Sequence, residues 1–124
     1  MLKEGLKYTS RVTVEKANCA SMVGSGGMDV FATPSMVALM ENAAMMAVAP
    51  HLEEGQTTVG TALNIDHQRA TPVGKMVTAT AVLTEVNGRE LSFNIAARDE
   101  IGIIGEGTHT RFVVNSEKFM AKLK

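Results

Sequence analysis

The stretch from Thr33 to Pro50 constrains the fold more than any other part of the chain. Fifteen consecutive residues, Ser35 to Ala49, are mostly helix formers and carry a single charge, Glu41. Thr33 can serve as an N-cap, Pro34 suits the first helical position and Pro50 marks the end. Within 36–49 the apolar residues Met36, Val37, Leu39, Met40, Met45, Met46 and Val48, with five alanines between them, surround the axis instead of forming one stripe. A helix of that kind is expected to be buried on nearly every side.

Beyond Gly55 the apolar pattern switches to period two. Four segments of strand length follow, at about 56–69, 75–86, 90–100 and 103–114. Val59, Thr61, Leu63, Ile65 and His67 alternate onto one face, and Leu91, Phe93, Ile95 and Ala97 onto another. Asn87-Gly88 is a two-residue hairpin signal, so these strands are expected to run antiparallel. Upstream, residues 6–15 read as a first or edge strand, and the glycine-rich residues 21–29 as a mobile loop of the kind that sits over sites. Ser116 to Lys124 suits one or two surface helical turns. The order predicts one α+β domain spanning residues 1–124, an antiparallel sheet of about five strands wrapped around one long central helix. The helix is more apolar than one sheet requires, which points to a second subunit covering the rest.

A chain of 124 residues supports one continuous core. The formal net charge is −1 and the basic residues are scattered among acids, so no nucleic-acid-binding stripe exists. One cysteine, Cys19, cannot close an intramolecular disulfide, and the N-terminus lacks the apolar stretch of a secretion signal. The cytoplasm is therefore the expected compartment. The apolar run Ala43 to Pro50 is far shorter than the roughly 20 residues that span a bilayer, so no membrane partner is expected.

Glu41 stands mid-helix among Met40, Ala43, Ala44 and Met45, the only charge between Asp29 and Glu53. A carboxylate there must be paired, be protonated or face a cavity, which makes it a candidate base or nucleophile; the alternative is a narrow solvent-facing strip shared with Asn42. His67 ends an inward series and can shuttle a proton near neutral pH, or be a core histidine bonded to backbone, or be turned out at a frayed strand end. Thr33 sits at the positive end of the helix dipole, where a hydroxyl and free N–H groups can bind an anion or a polarised carbonyl. Gly60 permits close approach of a ligand or marks a bulge. His109 and Arg111 share one parity with Gly105 and Gly107, and a solvated strand face is the preferred reading over a phosphate contact at an edge. The three histidines and Cys19 lack the spacing of a zinc site. Gly24-Ser25-Gly26-Gly27 lacks the Lys-Ser or Lys-Thr of a phosphate loop, and no serine occupies a Gly-x-Ser-x-Gly elbow.

Ala32-Thr33-Pro34 opening the helix, Glu41 eight positions after Thr33, then Gly60, His67 and Gly105-Glu106-Gly107-Thr108-His109-Thr110-Arg111 together resemble the hotdog thioesterases related to fluoroacetyl-CoA thioesterase. The resemblance runs from about Gly5 to Asn115. It implies a hotdog fold, a homodimer with each site at the subunit interface, Thr33, Glu41 and His67 as the catalytic set, and Gly60 and Arg111 as substrate-binding residues. The loop before the helix departs from the members that select fluoroacetyl groups: it is rich in Gly and Met, with Phe31 its only aromatic.

The expected reaction is hydrolysis of a small acyl-CoA to the free acid and CoA. Dipoles at the helix start and the Thr33 hydroxyl would stabilise the oxyanion, Glu41 would attack or activate water, and His67 would move a proton for the departing thiolate. No cofactor is expected, CoA being part of the substrate. A hydratase or dehydratase on the same fold and a non-catalytic acyl-CoA binding module are the competing readings. The acyl group, and dimer against tetramer, stay open.

Overall fold

A computed structural model describes residues 1–124. Five strands, β1 (Lys7–Thr13), β2 (Gln56–His67), β3 (Met76–Asn87), β4 (Glu90–Arg98) and β5 (Ile103–Asn115), form one sheet in the order β1-β3-β4-β5-β2. Every neighbouring pair is antiparallel. Three helices accompany it: α1 (Ala20–Val23), α2 (Thr33–Val48) and α3 (Ser116–Ala121). All five expected strands and the central helix are present, with strand ends shifted by up to two residues from those expected.

Helix α2 lies on the concave face of the sheet, chiefly over β1 and β3. Met36, Met40, Ala43, Ala44, Ala47 and Val48 turn inward and are buried. They meet Ala79, Ala81 and Leu83 of β3 and Leu91, Phe93, Ile95 and Ala97 of β4, all buried as the period-two pattern predicts. Alanines on both helix and sheet let the two backbones approach, and the flexible methionines fill the remaining gaps. The expectation of burial on nearly every side is not met within one chain, because Pro34, Ala38 and Asn42 form an exposed strip flanked by half-buried Glu41 and Met45.

Three local features differ from the sequence reading. The β3–β4 hairpin pairs Asn87 with Glu90, so its two loop residues are Gly88 and Arg89. Gly88 takes a φ of +64° at the first loop position, where a left-handed conformation matches the strand twist. Residues 21–29 begin as helix α1, ended by Gly24 in the left-handed region. The segment then folds back: Ala20 N–H donates to Val30 O, Ser21 N–H to Met28 O, and the Ser21 hydroxyl to the Asp29 carboxylate.

The third difference lies in β2. Its pairing with β5 shifts between Gly60 and Ala62, so Thr61 is an extra residue in a bulge. Thr58 and Gly60 therefore share the inner face with Leu63, Ile65 and His67. Val59 and Thr61, expected on that face, are out of phase with it; Val59 pairs with outward-facing Phe112. An unbroken period of two cannot survive an inserted residue.

Candidate active site

Thr33 opens helix α2 one residue earlier than a cap would. Ala32 is the N-cap, with extended backbone, and Thr33 is the first helical residue. This corrects the reading of Thr33 as the N-cap. Its hydroxyl makes no capping bond and instead lies 2.7 Å from His67 Nδ1. Pro34 has no N–H, while the N–H groups of Thr33 and Ser35 find no carbonyl within the chain, and Met36 N–H makes the first helical bond, to Ala32 O. A hydroxyl and two free N–H groups at a positive helix end form an anion-binding arrangement.

His67 is delivered by the far end of β2, half-buried as the alternation predicts. Burial holds its imidazole below the usual histidine value, an effect partly offset by the nearby Arg69 backbone. Burial therefore favours the neutral ring. Nδ1 is occupied with Thr33, whereas Nε2 is buried with no bonding partner in the chain. A cleft of about 250 Å³ opens here, lined by Ala20, Ser25, Val30, Thr33, His67 and Arg69 among others. Phe31, the one aromatic of the preceding loop, also borders it, but its side chain is in the core, while Met22 and Met28 stand exposed.

Glu41, Gly60 and Arg111 come together further along the helix. Glu41 Oε2 lies 3.9 Å from Arg111 Nη1. The Glu41 side chain is 42% exposed while that of Arg111 is 7% exposed, so the pair faces outward from a buried base. Gly60 makes this approach possible: a Cβ there would stand 2.7 Å from Glu41 Oε2. Thr58 holds the guanidinium from below, its Oγ1 accepting from Arg111 Nε at 2.8 Å and its carbonyl from Nη2 at 2.9 Å. Arg111 Nη1 also approaches His109 Nε2, at 3.2 Å.

His109 and Arg111 are thus not on a solvated strand face. They are 2% and 6% exposed, turned inward beneath α2. Burial draws the Arg111 pKa down, opposed by the neighbouring Glu41 charge, yet guanidinium keeps its proton at any physiological pH. Burial likewise lowers the His109 pKa, opposed by its bond to the Ala62 carbonyl and reinforced by the Arg111 charge. The glycines at 105 and 107 disguised this face, because a run without side chains looks solvent-facing when it is in fact packed close. Thr58 escaped notice for a different reason, since only the bulge at Thr61 brings it into phase with Gly60.

Within one chain the predicted residues thus form two groups, not one. Thr33 and His67 bond to each other, and Glu41 joins Gly60 and Arg111. Eight residues of helix separate Thr33 from Glu41, about 12 Å along the axis. The largest cleft in the molecule, about 540 Å³ between α3 and the ends of β2 and β5, contains none of these residues.

The family model for fluoroacetyl-CoA-specific thioesterase matches residues 14–117, a span holding all five. The fluoroacetyl-CoA thioesterase of Streptantibioticus cattleyicolor is 50% identical over 96 residues, covering 77% of this chain and 69% of that protein. A solved fluoroacetyl-CoA thioesterase superposes with a TM-score of 0.92 at 40% identity, over 99% of this chain and 96% of the other. A hot-dog-like protein from Thermanaerovibrio acidaminovorans shares the fold at 20% identity, with a TM-score of 0.89 over 98% of this chain and 90% of its own. Matched in sequence across most of its length and in backbone from end to end, the chain belongs to the fluoroacetyl-CoA-specific thioesterase family and has its hotdog fold.

Proposed function

We propose that this protein is an acyl-CoA thioesterase, hydrolysing a small acyl-CoA to the free acid and CoA. The observation that carries this reading is the family match over residues 14–117, a span that contains Thr33, Glu41, Gly60, His67 and Arg111, joined to a helix start left open beside a bonded Thr33–His67 pair. In the proposed reaction the thioester carbonyl sits at the N-terminus of α2, where free N–H groups and the Thr33 hydroxyl stabilise the oxyanion. His67 orients the Thr33 hydroxyl through Nδ1 and relays a proton, taking up the one released as water attacks and, as imidazolium, giving it to the departing CoA thiolate. Glu41 attacks the carbonyl or activates water. The reaction draws on water alone and needs no cofactor.

The 12 Å helix separation keeps a chain's Glu41 from a carbonyl bound at its own Thr33. We therefore infer a homodimer in which Thr33 and His67 of one protomer face Glu41 of the partner subunit. The exposed strip of α2 and the unpaired edge of β2 supply surface for that contact. Cys19, buried and unpaired, suits a reducing compartment, and we place the enzyme in the cytoplasm. No helix is long and apolar enough to cross a membrane. The acyl preference belongs to the Met-bearing loop at residues 21–29, which differs from a wall of aromatic side chains.

Subunit mixing tests both parts. Thr33→Ala and Glu41→Gln proteins are each expected to release almost no thiol from short, branched and aryl acyl-CoAs. Unfolded and refolded together, they should recover about a quarter of wild-type turnover, because half the dimers are mixed and each carries one intact site. Silence of the wild-type protein across the panel would refute the thioesterase reading. Active single variants, or no recovery on mixing, would refute the shared site.

A further inference from the structure

His109 is buried, titratable and without a role in the reaction proposed above. Its Nδ1 lies 2.8 Å from the Ala62 carbonyl oxygen. A carbonyl only accepts, so Nδ1 carries the ring proton and Nε2 is the bare nitrogen. The 3.2 Å approach of Arg111 Nη1 to that Nε2 is then donation from the guanidinium to the imidazole. Any other state of the ring, whether protonated on Nε2 or on both nitrogens, would turn an N–H toward a buried cation.

The Ala62 carbonyl is available because it belongs to the β2 bulge, where the pairing with β5 shifts. Thr58 grips Arg111 along one edge only, through Nε and Nη2. Two bonds on one edge leave the guanidinium plane free to rock about that edge; a third bond, from Nη1, stops it. That same Nη1 is the atom facing Glu41 Oε2. The imidazole itself is wedged, with its Cε1 3.2 Å from where a Cβ on Gly60 would be and its ring 6.1 Å from that of Phe93. The charged groups that face it are Arg111 from β5 and Glu41 from α2.

We infer that His109 is a positioning residue: held in one tautomer by the bulge carbonyl, it accepts from Arg111 and so aims the guanidinium at Glu41 across Gly60. The inference rests on the reading of Glu41 as the reacting carboxylate. It makes the bulge, rather than the helix, the origin of the carboxylate's placement. His109 touches no reacting atom, and its contribution is to keep Glu41 in one position and so to raise turnover without tightening substrate binding.

Two measurements test this. In protein labelled with 15N-histidine, the resonance lost on His109→Gln substitution should report Nδ1 protonated and Nε2 bare at neutral pH. An Nε2–H or doubly protonated ring would overturn the proposal, whether or not any thioester is turned over. In the thiol-release assay, His109→Leu removes the acceptor and keeps the bulk, whereas His109→Gln keeps an acceptor for Arg111. The first should lower kcat about tenfold to a hundredfold with KM little changed, and the second should stay within about threefold of wild type. Equal losses in the two variants, or a loss confined to KM, would overturn it. A silent wild-type protein refutes the thioesterase reading instead, and the tautomer still decides the role of His109 toward Arg111.

Discussion

Gly60 is the residue on which three others converge. A Cβ there would meet Glu41 Oε2 at 2.7 Å, His109 Cε1 at 3.2 Å and Arg111 Nη1 at 3.4 Å. The backbone at Gly60 is not left-handed, so alanine is tolerated conformationally and the conflict is with side chains alone. The half-exposed end of Glu41 yields first, since the other two are buried. Gly60→Ala is therefore expected to reduce kcat by about tenfold to a hundredfold, while costing less than about 1 kcal/mol of stability. Urea unfolding beside thiol-release kinetics checks the pair of outcomes, and a stability loss matching the activity loss would refute the geometry. Glu41 and Gly60 were legible in the sequence, one as a lone charge in an apolar helix and the other as a glycine in a strand. What was not legible was their contact, which depends on how far the helix slides over the sheet. Thr33 and His67 were likewise picked out singly, but their mutual bond took the place of the cap that local sequence favoured.

At the scale of elements, strand alternation and the Thr33–Pro50 helix were readable because each repeats its signal over many residues. The bulge in β2 was not, because one inserted residue leaves no mark in a strand rich in threonine and alanine. Another feature that escaped the sequence is the Asp99 hub, which ties the end of β2 to the turn between β4 and β5. Asp99 Oδ1 accepts from Arg69 Nη2 at 2.6 Å and from the Ile101 and Gly102 N–H groups, and Oδ2 accepts from the buried Thr71 hydroxyl at 2.9 Å. Burial alone would raise the carboxyl pKa, but the Arg69 and backbone bonds outweigh it and hold it at about 2 against an ordinary 3.8. Because folding lowers this pKa, the folded state holds its proton less firmly than the unfolded chain. The stabilisation is present in full above about pH 4 and is lost as the pH falls toward 2. Asp99→Asn should cost about 1–3 kcal/mol at pH 7, leaving donors short of a charged acceptor. Its stability deficit relative to wild type should shrink on acidification through that window, as followed by denaturant midpoints. A deficit independent of pH would show that the hub acts by packing alone.

The whole molecule leaves two surfaces unfinished on one side. Strand β2 has β5 on one edge and nothing on the other, and α2 sits over β1 and β3, leaving Gly60, Thr61 and Ala62 exposed. A twelve-residue edge strand without proline or lysine is a template for pairing with another chain, which native proteins otherwise blunt or cover. The sequence anticipated a covered surface from the apolar excess of the helix, but it placed the excess all round the axis. In the folded chain one side is packed on the sheet, and the exposed Pro34–Ala38–Asn42 strip with half-buried Val37 and Met45 lies on the side that carries Glu41. If the proposed shared site is correct, an isolated protomer has an oxyanion pocket and a carboxylate that never meet. Specific activity should then fall on dilution along the same curve as the dimer fraction measured by sedimentation velocity, and return on reconcentration. Where the dimer is too tight to dissociate by dilution, low urea that separates subunits before unfolding them should trace the same coincidence. A protomer sedimenting alone with full turnover would mean that Glu41 reaches its own Thr33 by a movement of about 12 Å along one rigid helix, which helix geometry forbids, and the carboxylate would have to be sought elsewhere.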